Sequence, residues 1–342
     1  MKTKIIKANF EKILSEIESL ETDTLIILAD QKVWELYKEK LPLDQIKDKR
    51  IILRTNPSGE DVKTFEEFAS CSEFLLDKGV HRKCHIVAFG GGSLSDFAGY
   101  IAASLLRGID WSIIPTTLLS MIDASIGGKT AINSKAGKNL IGAFHKPQNV
   151  WLNVDFVDSL PEDELVNGYG ELIKYAFLDE RISKSLLAKK FDLNEIIFEC
   201  ADFKLNLTEK DFKEAGLRKS LNLGHTLGHA LEKIYSLPHG EAVFWGIALA
   251  LEVFQEGEFL DQLKKYAKKL GIHEKPVPWY KKTFPTEKII DYVKKDKKMI
   301  SSSVVEFVLV EKVGKIKYQS VEISELERLL ESMKDKLSDF TL

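Results

Sequence analysis

The chain has 342 residues, 44% hydrophobic and 30% charged, the balance of a soluble globular protein with room for two domains. Its formal net charge is −3 with both signs interspersed, so neither a nucleic acid nor a membrane surface is expected as a partner. No apolar run reaches the roughly 20 residues of a membrane span, and charges break the apolar positions of MKTKIIKANFEKILSEIESL, so no secretory core is expected. The cysteines Cys71, Cys84 and Cys200 are widely spaced and fit buried free thiols in a reducing cytoplasm.

The first half alternates between two textures. TLIILAD (24–30), CHIVAFGGG (84–92) and WSIIPTT (111–117) are short apolar runs, ending at an acid, at three glycines and after Pro115. Amphipathic stretches such as VKTFEEFASCSEFLLDKG lie between them. Strands alternating with helices predict a parallel sheet covered on both faces. MIDASIGGKTAINSKAGKNLIGAFHKP (121–147) reads as a long polar loop. From about residue 160 the apolar positions recur with helical period, as in EDELVNGYGELIKYAFLD and AVFWGIALALEVFQ. VVEFVLVEKVGKIKYQSVE (304–322) alternates like a hairpin around Gly314. The expectation is an α/β domain over residues 1–158 and a mainly α-helical domain over 159–342.

Three places carry chemistry. FGGGSLSDFAGYIAAS follows an apolar run and opens a helix, where glycines and free N–H groups suit a pyrophosphate, although the spacing is not GxGxxG. SGEDVK (58–63) and PTTLLS (115–120) also follow strand ends, and ligands of open α/β sheets gather there. The polar loop carries Asp123, Lys129, Lys138 and Asn139 among glycines, with Arg107 shortly before it, which suits a phosphate. In LNLGHTLGHALE, His225 and His229 lie one helical turn apart, and His239 follows in LPHGEAV. A metal pair, a substrate contact and a structural pair all fit HxxxH. Glu171 precedes Lys174 by three residues, which also fits a surface ion pair. One glutamate and two histidines would make a three-ligand set with a position open for substrate. Arg218 and Asn222 are expected to extend the helical face of His225.

Taken together, GGGSLSDFAGYIAASLLRG, PTTLLSMIDASIGGKTAIN, GKNLIGAFHKP, GELIKY, RKSLNLGHTLGHALE and HGEAV resemble the 3-dehydroquinate synthase family of sugar-phosphate cyclases, from about Asp30 to beyond residue 300. The resemblance implies a Rossmann-like nucleotide-binding domain followed by a helical metal- and substrate-binding domain. It implies NAD as cofactor and a divalent metal, zinc or cobalt, held by Glu171, His225 and His239. For NAD it points to Asp30, Glu60, Lys63, Gly91, Gly92, Asp96, Thr116, Thr117 and Lys138, with Asp123 and Lys129 shared with the substrate. For the substrate it adds Asn139, Lys174, Lys204, Glu214, Arg218, Asn222 and His229. Arg107 would reach the phosphate across the interface of a homodimer. The implied reaction converts 3-deoxy-D-arabino-heptulosonate 7-phosphate to 3-dehydroquinate and phosphate. It proceeds by transient oxidation with NAD, phosphate elimination, re-reduction and aldol closure. A metal-dependent polyol dehydrogenase and another sugar-phosphate cyclase are the alternatives. The chain departs from the family pattern at Ser95, where a glycine is usual and a side chain is expected to crowd the pyrophosphate or tilt the helix. Gly170 replaces a common alanine, expected to be minor, and Phe212 stands where an acidic pair is usual. KKDKKM (294–299) resembles a late lysine motif.

Overall fold

The computed structural model describes residues 2–341 apart from 215, 255–257, 273–275 and 296–298. In chain order the first part contains β1 (Lys4–Lys7), α1 (Phe10–Glu18), β2 (Thr24–Asp30), α2 (Gln31–Tyr37), β3 (Arg50–Asn56), α3 (Phe65–Asp77), β4 (His85–Gly90), α4 (Gly92–Ser104) and β5 (Asp110–Pro115). There follow β6 (Lys129–Ser134), β7 (Gly137–Phe144), β8 (Asn149–Leu152), α5 (Glu162–Leu178), α6 (Glu180–Leu187), α7 (Leu193–Lys210), α8 (His225–Tyr235) and α9 (His239–Phe254). The chain continues with α10 (Glu258–Lys269), α11 (Thr286–Val293), β9 (Val304–Lys312), β10 (Lys315–Glu322), α12 (Ile323–Ser332) and α13 (Lys334–Ser338). Two compact units result: Met1–Leu165 with Ala201–Lys213, and Val166–Cys200 with Glu214–Leu342. These units differ from the sequence-based division at 158/159: residues 159–165 and 201–213, expected in the second domain, fall in the first unit.

In the first unit six strands form one parallel sheet in the order β1-β8-β5-β4-β2-β3. Every residue of β2 and β4 is buried, as continuous apolar runs require when both faces are covered. From β2 the chain passes to the edge strand β3 and then returns to β4 on the other side of β2. That reversal opens a crevice at the carboxyl ends of β2 and β4, the usual ligand position of such sheets. Asp30 and the glycine turn stand at these two ends. Helix α4 lies close over the sheet because Gly99 has no side chain. A Cβ there would come within 2.4 Å of Thr130 and 2.8 Å of Trp111.

The segment 121–147 is not a loop. It forms a π-helical turn, Ser120–Ala124, and then the antiparallel pair β6–β7. Gly128 has a φ of 67°, and its carbonyl accepts from the His145 N–H at 2.8 Å, closing the base of the hairpin.

The described residues of the second unit are mainly helical, with β9–β10, an antiparallel hairpin turning at Gly314, whose φ is 82°. Glycines bring its helices into backbone contact. A Cβ on Gly170 of α5 would lie 1.8 Å from the Gly240 carbonyl oxygen of α9, and one on Gly240 would lie 1.6 Å from the Asn167 carbonyl oxygen. A Cβ on Gly246 of α9 would lie 2.1 Å from the Gly224 oxygen and 2.6 Å from the Gly228 nitrogen of α8. Glycine at 170 is therefore a packing requirement here, and the expectation of a minor change is corrected.

Two outcomes follow from this packing. Gly246→Ala must push α8 and α9 apart, so it should lower unfolding stability by about 1–3 kcal/mol, measured by urea titration. His85 on β4 is buried and its Nε2 lies 2.9 Å from Ser112 Oγ. That hydroxyl accepts from Asn149 Nδ2 at 3.2 Å, so its own hydrogen is free to go to the imidazole, which is held neutral. Burial, with Lys49 nearby, pushes the His85 pKa down from 6.5 to about 4. The folded state thus binds fewer protons than the unfolded one between these values. The His85 contribution is complete above pH 6.5 and is lost as pH falls toward 4, about 3 kcal/mol over the window. Urea unfolding at pH 7 and pH 4.5 should show a shallower pH dependence in His85→Gln, and an unchanged slope would refute the assignment.

Candidate active site

Three distant segments of the second unit supply one cluster. Glu171 on α5 is fully buried, and its Oε1 lies 3.2 Å from Nε2 of both His225, at the start of α8, and His239, at the start of α9. One ligand atom from each residue lies within 4.8 Å of the others. Ligands about 2.0–2.2 Å from a tetrahedral zinc ion stand roughly 3.3 Å from each other, so the two measured edges fit such an ion.

The hydrogen bonds behind the ligands sharpen that fit. His225 Nδ1 lies 3.0 Å from the Leu223 carbonyl, which only accepts, so Nδ1 carries the hydrogen. His239 Nδ1 lies 3.2 Å from Glu232 Oε2, and the same reasoning applies. With Nε2 deprotonated, as metal binding requires, each imidazole would turn a lone pair toward the Glu171 carboxylate. Three acceptors converge, and a cation is what such a set accommodates. Burial pushes the His225 pKa down to about 4 against the pull of Glu171. For His239 burial also acts downward, but Glu171 and Glu232 outweigh it and raise the pKa to about 10. Burial pushes the Glu171 carboxyl up, yet Lys174 and His225 outweigh this and hold it well below the usual range.

Lys174 contacts Glu171 Oε2, and this ion pair is buried, with the lysine side chain 1% exposed. The spacing of the two residues fits a surface pair equally well, and the structure corrects that reading. The ring centroid of His229 is 5.4 Å from that of His225, but His229 is not among the grouped ligands. Arg218 and Asn222 do not extend α8. They belong to a 3-10 turn, Leu217–Asn222, and Gly224, with a φ of 78°, separates that turn from the helix. Arg218 is buried, and Asn222 Nδ2 donates to Glu214 Oε1 at 3.1 Å.

In the first unit Lys63 is the hub of a second polar cluster. Its buried ammonium donates to Asp96 Oδ2 at 2.7 Å and contacts Asn139 Oδ1. Asn139 takes a φ of 57°, and its N–H donates to Asn133 Oδ1 at 3.0 Å. Glu60 accepts from Ser93 at 2.8 Å and from Asn133 at 2.7 Å. Burial raises the Glu60 pKa, but Lys63, Asn133, Ser93 and Lys138 together bring it below the usual value. Burial raises the Asp96 pKa against the pull of Lys63. Asp30 Oδ1 caps α2, accepting from Lys32 N at 2.9 Å, and also accepts from Ser58 Oγ at 2.7 Å. Gly91 caps α4, and a Cβ on it would lie 3.0 Å from Thr117 Cγ2. Thr116 Oγ1 is buried with no hydrogen-bond partner among the described residues. Lys204 on α7 donates to the Asp123 carbonyl at 2.7 Å and pairs with its carboxylate at 2.8 Å. Lys129 opens β6 and is exposed. Phe212 packs edge-on against Phe144 at 5.3 Å, with Lys146 Nζ 4.3 Å over its ring.

Within the first unit Arg107 stands apart from the Lys63 cluster. It is exposed, with a φ of 67°, beyond the far end of α4 from Gly92, about 20 Å along that helix. Residues 296–298 of the late lysine motif lie outside the described residues. Sequence reasoning misses Glu232, Asn133, Ser93, Ser58 and Asn167, whose Oδ1 accepts from the Gly240 N–H at 2.7 Å. Only Glu232 has an accessible signal, lying seven residues, two helical turns, after His225.

Comparison with known proteins agrees with this geometry. Residues 54–167 match the family model of the 3-dehydroquinate synthase N-terminal domain, and residues 168–299 that of its C-terminal domain. A 3-dehydroquinate synthase of Staphylococcus epidermidis is 39% identical over 292 residues, covering 79% of this chain and 82% of the relative. One from Thermococcus kodakarensis is 37% identical over 324 residues, covering 93% and 91%. The fold matches a 2-epi-5-epi-valiolone synthase from Streptomyces hygroscopicus, solved with NAD+ and Zn2+ bound, at a TM-score of 0.82 and 22% identity over 98% of this chain and 97% of that one. The chain belongs to the 3-dehydroquinate synthase family.

Proposed function

We propose that the chain is a carbon–oxygen lyase, a 3-dehydroquinate synthase acting on 3-deoxy-D-arabino-heptulosonate 7-phosphate with NAD and one zinc or cobalt ion. The observation that carries this reading is the convergence of Glu171, His225 and His239 in a chain of this family. When bound, the metal supplies charge stabilisation at a substrate hydroxyl as it ionises, and NAD takes a hydride and returns it.

The protein's own groups do the holding. Lys174 keeps Glu171 ionised in a buried position, so the carboxylate is ready as a ligand. Leu223 O and Glu232 fix the two imidazoles with Nε2 forward. The glycine turn before α4 lets backbone N–H groups approach a pyrophosphate, and Asp30, Glu60, Lys63, Asp96, Thr116, Thr117 and Lys138 surround NAD on this reading. Asp123, Lys129, Asn139 and Lys204 in the first unit, and Lys174, Glu214, Arg218, Asn222 and His229 in the second, are assigned to substrate. Fixed cations and amides there hold a reactive conformer and stabilise oxyanions without solvent reorganisation. Arg107 is assigned to the substrate phosphate of a partner copy in a homodimer, which its remoteness from the Lys63 cluster supports.

A phosphate-release assay with the named substrate tests the reaction. Release should depend on NAD, stop with a chelator, return with zinc or cobalt, and leave no net NADH. NADH accumulating in proportion to product would instead mark a dehydrogenase. His225→Ala should lose bound metal and turnover together, and a fully active variant without metal would overturn the ligand assignment.

A further inference from the structure

Glu232 has no part in the roles above except through His239. Its side chain is 12% exposed, whereas that of His239 is 35% exposed, and the carboxylate accepts from His239 Nδ1 at 3.2 Å. The two ligand imidazoles are thus held differently. His225 is nearly enclosed and backed by the neutral carbonyl of Leu223. His239 is half-buried and backed by a charge.

We infer that Glu232 is the positioning residue of the metal site, setting the tautomer, orientation and basicity of His239 and through them the affinity for a divalent cation. The inference rests on the metal reading proposed above. A carboxylate behind a ligating imidazole stabilises the Nδ1–H form and makes Nε2 a stronger donor. It also adds a second negative charge beside the cluster, and negative charge there favours a divalent cation. The placement follows from helical geometry. Glu232 lies seven residues after His225, so one face of α8 presents a ligand at its first turn and steers another two turns later.

A purely structural role, tying α8 to α9, is the rival explanation. The backbone contacts of Gly246 with Gly224 and Gly228 already join those helices without Glu232. Loss of the carboxylate should therefore leave packing intact and weaken the site.

The test uses full-length protein stripped of metal, with zinc titrated against a chromogenic chelator and thermal unfolding followed in parallel. Glu232→Ala should raise the zinc dissociation constant about 10–100-fold while the metal-free unfolding midpoint stays near that of the wild type. Glu232→Gln, nearly isosteric and still an acceptor for Nδ1–H, should fall between the two. The visible absorption of cobalt-loaded protein should shift in the same order. Wild-type zinc affinity in either folded variant overturns the inference, as does an equal fall in unfolding midpoint with affinity unchanged. A wild-type protein that binds no zinc or cobalt would remove the metal reading itself, a result distinct from a variant that binds as well as the wild type.

Discussion

The Glu171–His225–His239 cluster depends on backbone atoms meeting backbone atoms. Helix α9 is approached by α5 at Gly170 and Gly240 and by α8 at Gly224, Gly228 and Gly246, at separations no side chain would permit. Each member of the cluster is the sequence neighbour of one of these glycines: Glu171 follows Gly170, His225 follows Gly224 and His239 precedes Gly240. The three donor atoms are therefore placed by main-chain contact, the least compressible part of the fold, and not by side chains that repack. Asn167 adds to this by capping the first turn of α9 next to His239. Such placement suits a site whose ligands must sit within a fraction of an ångström.

The same contacts create an electrostatic burden. A carboxylate enclosed as completely as Glu171 loses several kcal/mol of hydration unless other charges replace the water. Lys174, one turn along the same helix, supplies one replacement, and the imidazoles supply the rest. The imidazoles are themselves held from behind, His225 by the Leu223 carbonyl and His239 by Glu232, so polar atoms hold one another in orientation. The Lys63 cluster in the first unit repeats the principle with different residues. One buried ammonium neutralises Asp96, steers Asn139 and lowers the Glu60 pKa. A chain of net charge −3 thus concentrates fixed cations and amides at a few buried places, independently of its overall field.

Much of this frame is legible in the sequence, and the failures share a cause. The runs at 24–30 and 84–92 become β2 and β4 because an unbroken apolar run of that length fits a strand buried on both faces. The hairpin at 304–322 is legible from its alternation and from Gly314. The segment 121–147 reads as a loop because glycines and lysines interrupt it and β7 has no buried residue to mark an apolar face, although β6 is buried at three successive positions. Arg218 and Asn222 read as an extension of α8 because one residue, Gly224, ends the preceding turn and starts the helix, through a positive φ that spacing does not reveal. Residues 201–213 read as part of the second domain because α7 is one uninterrupted helix that crosses the boundary between the units. Spacing alone leaves HxxxH open between several readings. The choice of His225 over His229 comes from family resemblance and agrees with the grouping of His225 with Glu171 and His239. The burial of Glu171 is illegible because an i,i+3 acid–base pair looks the same in sequence whether water or protein surrounds it.

Ser95 shows how a local departure is absorbed. A side chain just after the glycine turn is expected to crowd a pyrophosphate or tilt α4. The Ser95 hydroxyl instead donates back to the Gly91 carbonyl at 3.0 Å and lies 3.3 Å from Ser120 Oγ, which leads into the turn bearing Asp123. The residue is 2% exposed, so its hydroxyl lies inside the fold and not on the surface at the helix start. Back-bonding of this kind bends a helix slightly. Here that hydrogen bond falls in the first turn of α4, beside Gly91 and Gly92, which carry no side chain. The free N–H groups at that terminus come from the glycines and their neighbours, which a hydroxyl committed to carbonyl and serine oxygens does not occupy. The substitution therefore exchanges the openness of glycine for a tether between α4 and the Ser120–Ala124 turn.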